Sequence, residues 1–187
     1  MTIGVGGSTA EIELNKLVNM TADVNPISLE DFNLRVQKAQ SLMKEHDIEA
    51  CYVNAGTNLY YFTGTRWYAS ERMVGAIIPK TGDVEYIAPY FEINTLEQFM
   101  QVKGNVNGWQ EHESPYQLFL DTLNRLNINS GKIAIDESTA FFVANGINQL
   151  STNFELVDAK PITAACRGQK SDKEIALLQT AKNMTIE

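Results

Sequence analysis

Cysteine is scarce in this chain, with only Cys51 and Cys166 among 187 residues. Two thiols cannot build a disulfide scaffold. Cys51 lies in the apolar run Ala50-Cys51-Tyr52-Val53 and reads as a buried thiol kept reduced. Histidine is equally sparse, so a zinc site would have to be completed by scattered carboxylates. Positive charge is short: 15 Lys and Arg stand against 23 Asp and Glu, a formal net charge of -8. Such a surface repels phosphate, which excludes nucleic acid and anionic membrane surfaces as partners. No apolar run is long enough to cross a bilayer. The start, Met1-Thr2-Ile3-Gly4-Val5-Gly6-Gly7, has no basic segment followed by an apolar one and does not read as an export signal. Repeats and low-complexity tracts are absent too.

What is present is globular: 44% hydrophobic and 20% charged residues, in a chain long enough for one ordinary domain. Ser8-Thr9-Ala10-Glu11 reads as a capping box opening a short helix that ends before Asn25-Pro26. Ser28-Leu29-Glu30-Asp31 opens a longer helix, with Leu29, Phe32, Val36, Ala39 and Met43 as its apolar stripe. A strand is expected over Glu49 to Val53. Met73 to Pro79 and Val84 to Ala88 are strands joined by the hairpin signal Lys80-Thr81-Gly82-Asp83. Glu92 to Met100 reads as helix and Asn105 to Gln110 as strand. Ser114-Pro115 caps a helix striped by Tyr116, Phe119, Leu123 and Leu126. Lys132 to Asp136, Thr139 to Leu150 and Phe154 to Val157 then alternate strand, helix, strand, which implies parallel pairing. The expected fold is α/β, a mixed sheet of about six strands with helices on both faces.

Ser171-Asp172-Lys173-Glu174 is a further capping box, and Ile175, Leu178 and Ala181 start a stripe that reaches Glu187 with no C-cap signal. The expectation is a helix cut in mid-course, with a second domain missing and no complete active site in this chain.

Three segments could carry chemistry. Gly4-Val5-Gly6-Gly7-Ser8 precedes a helix but has no strand before it and no Lys-Ser/Thr pair, so it reads as a chain terminus rather than a phosphate loop. Glu111-His112-Glu113 gathers three potential ligands, yet adjacent residues cannot all face one ion on a regular element. A solvated loop is the simpler account. The third is Asn58 to Met73. In one account it is a helical turn whose Leu59 and Phe62 plug the core, with Glu71 and Arg72 as a local ion pair. In the other it is a loop presenting Arg66, Trp67 and Tyr68 to a ligand or partner, since such residues anchor interfaces. The residues themselves leave both open. A complete small enzyme built on Cys51 or Cys166 is the weakest option, because neither has a nearby histidine or a helix N-terminus.

The order of several pieces narrows this. Asn58–Gly64, then Glu71-Arg72-Met73, Pro79 and Gly82, Pro89 with Phe91-Glu92, Trp109 with Pro115, and finally Arg167 with Lys170-Ser171 and Glu174-Ile175, resemble the N-terminal domain of the creatinase/prolidase family. The likeness is greatest to Xaa-Pro dipeptidases and aminopeptidases P, and it covers Ser28 to Glu187. It implies a fold with a ribonuclease H-like motif and three regions: an N-terminal extension (1–27), the domain itself (28–166), and a linker with the start of a helix (167–187) leading to a C-terminal catalytic domain. The extension lies outside the usual family pattern.

By the same resemblance, relatives hydrolyse the bond before proline with two divalent metals, manganese, cobalt or zinc, all held by the C-terminal domain. Creatinase departs from this and acts without metal. No cofactor and no catalytic residue is then expected in this chain. The implied partners are its own catalytic domain, proline-containing peptides and a second copy in a homodimer, in the cytoplasm. The segment after Gly64, that is Thr65, Arg66, Trp67 and Tyr68, corresponds to a wall that limits substrate access. An arginine there could hold a carboxylate. The alternative is a noncatalytic peptide- or protein-binding module, because histone chaperones share this fold.

Overall fold

The computed structural model describes residues 6–186. They form two compact units: Ser28–Gln169, and a smaller one made of the residues before Ser28 and after Gln169.

The larger unit is a six-stranded sheet in the order β4-β3-β2-β1-β5-β6. Its strands are β1 (Ile48–Asn54), β2 (Gly75–Pro79), β3 (Glu85–Pro89), β4 (Asn105–Trp109), β5 (Gly131–Ile135) and β6 (Phe154–Asp158). Only β2 runs against the rest: β1–β2 and β2–β3 pair antiparallel, while β1–β5, β3–β4 and β5–β6 are parallel. Five strand ends and the start of β2 therefore gather along one edge of the fold. This is where ligand sites of open α/β sheets form.

Side chains alternate along a strand, so each face collects its own core. Ala50 and Tyr52 of β1 join Phe119 and Leu123 of α5 (Pro115–Arg125) and Val143 and Ile147 of α6 (Phe141–Leu150). Cys51 and Val53 point the other way. There α2 (Leu29–Glu45) packs against β1, α3 (Thr57–Thr63) and α7 (Lys160–Gly168). The mixed α/β sheet with helices on both faces is thus as expected, with α4 (Ile93–Phe99) following a single 3-10 turn at Tyr90–Glu92.

Local signals account for most helix starts. The Ser28 hydroxyl accepts from Asp31 N–H, and the Asp31 carboxylate accepts from Ser28 N–H at 2.7 Å. Phe32, Val36, Ala39 and Met43 are buried, but Leu29 is exposed. In the smaller unit, α1 spans only Ala10–Leu14 and is capped by Thr9, not Ser8, with Ile12 N–H donating to the Thr9 hydroxyl. α8 (Asp172–Ile186) begins at the reciprocal Ser171–Glu174 box. The glycine-rich start lies partly outside the described residues. One helix was not anticipated. The segment around Arg167 is no linker but the last turn of α7, which starts with Pro161 in its first turn, where a missing N–H is harmless.

Glu85 on β3 is a buried carboxylate with a full set of donors. Arg125 Nη2 donates to it at 2.7 Å, and the Asn105 and Asn107 amides donate at 2.9 Å each. Burial pushes its pKa up, but Arg125 and the two amides more than reverse this, so it lies below the ordinary value. A carboxylate with a depressed pKa stabilises the fold above its unfolded pKa, and that contribution is lost as pH falls through the folded pKa. Glu85→Gln should therefore cost about 1–2 kcal/mol near neutral pH, kept low because Arg125 is half exposed. The gap to the wild type should close toward about pH 3 in urea denaturation. A gap that persists there would mean that shape, not charge, is lost.

Candidate functional site

The short helix α3 has three faces, each made by an i, i+3 pair. Leu59 and Phe62 are fully buried in the core. Asn58 and Tyr61 meet α7: Arg167 Nη1 donates to Asn58 Oδ1 at 2.8 Å, and Tyr61 Oη donates to the Cys166 carbonyl at 2.9 Å. Thr57 and Tyr60 are left exposed on the third face. Gly64 closes the helix with φ +70°, a left-handed conformation, and a Cβ there would come within 2.7 Å of Phe32 and Gln101.

The chain then turns back along the exposed face. Gly56, Thr57, Tyr60, Arg66, Trp67 and Tyr68 line an open groove of about 430 Å³. The Arg66 guanidinium stands 5.5 Å from the centre of the Tyr60 ring, within cation–π range. Trp67 packs edge-on to Phe99 at 6.4 Å, and Tyr68 is 92% exposed. Aromatic walls with one guanidinium suit a ligand that has an apolar body and an anionic end. Three of the four residues read from the sequence thus come together. Thr65 does not join them. It is fully buried, accepts from the Thr63 hydroxyl at 2.9 Å, and faces the Tyr86 hydroxyl. The helical-turn account of the Asn58–Met73 segment holds, since Leu59 and Phe62 do plug the core and Glu71 does pair with Arg72, while Arg66, Trp67 and Tyr68 lie along the groove.

Nothing in the groove is a nucleophile activated by a base. Burial raises the pKa of both Cys51 and Cys166. The Glu111-His112-Glu113 carboxylates diverge: Glu111 accepts from Arg72 Nε at 2.9 Å, while Glu113 accepts from Gln110 N–H at 2.8 Å. Among the described residues no three of His, Cys, Asp and Glu converge on a point. These donors do not fit a two-metal centre.

A second polar centre lies at the end of β5 and had no sequence signal. Asp136 is 2% exposed. One carboxylate oxygen accepts from Asn54 N–H at 3.0 Å, the other from Asn58 Nδ2 at 2.9 Å and from Ser138 N–H at 2.7 Å.

Residues 35–169 match the family model described as the Creatinase/Prolidase N-terminal domain. The chain belongs to that family. As a creatinase/prolidase N-terminal domain it is similar to a prolidase from Thermococcus sibiricus, with 26% identity and a TM-score of 0.69 over 78% of this chain and 39% of that one. The N-terminal domain of an Xaa-Pro dipeptidase from Lactobacillus brevis shares the fold, at 17% identity and a TM-score of 0.61, over 72% of this chain and 99% of that one. A curated Bacillus subtilis (strain 168) relative, "Putative dipeptidase YkvY", is 24% identical over 151 residues, 80% of this chain and 41% of its own length. The chain thus spans about two fifths of the length of the curated relatives it matches. No helix among the described residues is long and apolar enough to cross a membrane. The family pattern now has a physical layout: Asn58–Gly64 is α3 with its glycine cap, Glu71 and Arg72 are an ion pair, and Arg167 binds Asn58.

Proposed function

We propose that this domain is the noncatalytic front part of a proline-specific dipeptidase or aminopeptidase, and that its groove borders the path by which substrate enters. The observation that carries this is the groove itself: Tyr60, Trp67 and Tyr68 supply shape, Arg66 supplies one cation, and no acid–base pair accompanies them. On this reading hydrolysis belongs to a following domain, which holds two divalent metals, manganese, cobalt or zinc. Homodimer formation, placement of the wall over a partner's active site, and a cytoplasmic setting for the reduced thiols are parts of the same proposal.

The test is Trp67→Ala in the full-length enzyme. A bulky wall acts through shape, so the KM for an Xaa-Pro dipeptide should rise roughly tenfold, or about 1.4 kcal/mol, with kcat changing much less. A longer Xaa-Pro peptide should gain relative to the dipeptide. Equal losses in kcat for both substrates, with neither KM altered, would count against a role in access. If the following domain carries no metal ligands, the groove is instead that of a peptide-binding module.

A further inference from the structure

We propose that Arg167, acting through Asn58, is a positioning residue for the groove. The inference deepens the access role proposed above and rests on it only for its biological meaning. Arg167 and Asn58 lie 109 positions apart, yet the guanidinium donates to the Asn58 side-chain oxygen at 2.8 Å. The Asn58 amide nitrogen donates in turn to Asp136 at 2.9 Å. A carboxylate only accepts and a guanidinium only donates, so the orientation of this buried amide is fixed by its neighbours.

The consequence follows from the geometry of α3. Asn58 sits in its first turn, between Thr57 and the Leu59-Tyr60 step, and the preceding Gly56 provides no side-chain cap. The placement of that turn therefore depends on the Asn58 bonds and on core burial of Leu59. One turn further on, Tyr61 ties the same face to the Cys166 carbonyl, while the Arg35 guanidinium lies 4.1 Å from the centre of its ring. Lys38 holds the Ala165 carbonyl at 3.2 Å. The end of α7 is thus fastened to α2 and α3 at successive residues. Any shift of α3 relative to α7 moves Thr57 and Tyr60, which form one wall of the groove. Tyr60 in turn underlies Arg66, the neighbour of Trp67. The path from Arg167 to the opposite wall runs only through packed or hydrogen-bonded groups.

The chain has two tryptophans, Trp67 in the groove and Trp109, which is buried and donates to the Met73 carbonyl. Fluorotryptophan labelling of the whole chain should give one fluorine resonance for each, assigned with Trp67→Phe. Arg167→Met is expected to shift the Trp67 resonance and increase its quenching by acrylamide, leaving Trp109 in place. Arg167→Lys keeps a donor and should restore part of the original signal. Asn58→Ala should produce the same shift as Arg167→Met, and the double variant should add nothing further. An unmoved Trp67 in Arg167→Met and Asn58→Ala, even with a lowered Tm, would overturn the proposal. So would equal shifts of both tryptophans, which would indicate general loosening. The readout needs no substrate: a positive result combined with an unchanged dipeptide KM in Trp67→Ala would leave the coupling standing and remove the access role.

Discussion

Asp136→Ala is expected to destabilise the larger unit by about 3–4 kcal/mol, measured by urea denaturation at neutral pH. The side chain is buried and accepts four hydrogen bonds, from Asn54 N–H, Asn58 Nδ2, and the N–H and hydroxyl of Ser138. Alanine removes every acceptor while leaving two buried donors, the Asn54 N–H and the Asn58 Nδ2, without the acceptor they had. Each orphaned donor costs about 1–3 kcal/mol. The loss falls at the point where β1 and β5 end side by side, since Asp136 N–H also extends their ladder by donating to the Tyr52 carbonyl at 3.0 Å. Asp136→Asn keeps the shape and one acceptor and should lose about half as much. A cost for Asp136→Ala below about 1 kcal/mol would mean that water replaces the carboxylate, and that the network orders the loop without stabilising the fold.

Gly75→Ala should cost about 3 kcal/mol, the upper end for overpacking. Gly75 opens β2 and pairs with Asn54 across the antiparallel ladder. A methyl group there would lie 2.5 Å from the Val53 carbonyl oxygen and 2.7 Å from both Cε2 and Oη of Tyr52. Neither neighbour can yield cheaply. The first is backbone in the central strand. The second is a fully buried ring whose hydroxyl bonds to Asn54 Oδ1 and the Val74 carbonyl at 3.2 Å each. Only separation of β1 from β2 relieves the clash. Hydrogen exchange should then speed up along Ala76–Pro79 relative to β5. Unchanged protection with an unchanged Tm would show that the ladder tolerates the shift.

Much of the architecture could be read before the structure because its signals are local. A serine three residues before a carboxylate marks a helix start, as at Ser28 and Ser171, and the Lys80–Asp83 turn marks a hairpin. Local signals also mislead locally. Ser8 and Thr9 are both competent caps, and only geometry selects Thr9. Thr65 sits in a polar, aromatic loop and reads as accessible, yet its hydroxyl is directed inward to Tyr86. α7 was missed because a nine-residue helix with a proline in its first turn resembles a linker. Asp136 was passed over as the last residue of a strand, since its partners at Asn54 and Asn58 are 82 and 78 positions away. No spacing rule reaches that far. Arg66, Trp67 and Tyr68 were singled out by the family pattern around Gly64, because the residues themselves left a core plug and a presented loop equally open, and the structure places all three along one groove.

The position of β1 in the sheet sets an order of events during synthesis. Its partner on one side, β2, follows only 21 positions later at Asn54↔Gly75, across the short helix α3. Its partner on the other side, β5, spans only Gly131–Ile135, so Tyr52 waits until Ile135 has been made. Until then Ala50-Cys51-Tyr52-Val53 presents one bare edge, and that edge carries four consecutive residues that are fully buried in the finished fold. An unpaired apolar edge is a template for pairing with another chain. The nascent protein is therefore most vulnerable to misassembly after the hairpin has closed and before β5 arrives, and slowing translation between Trp109 and Gly131 lengthens that interval.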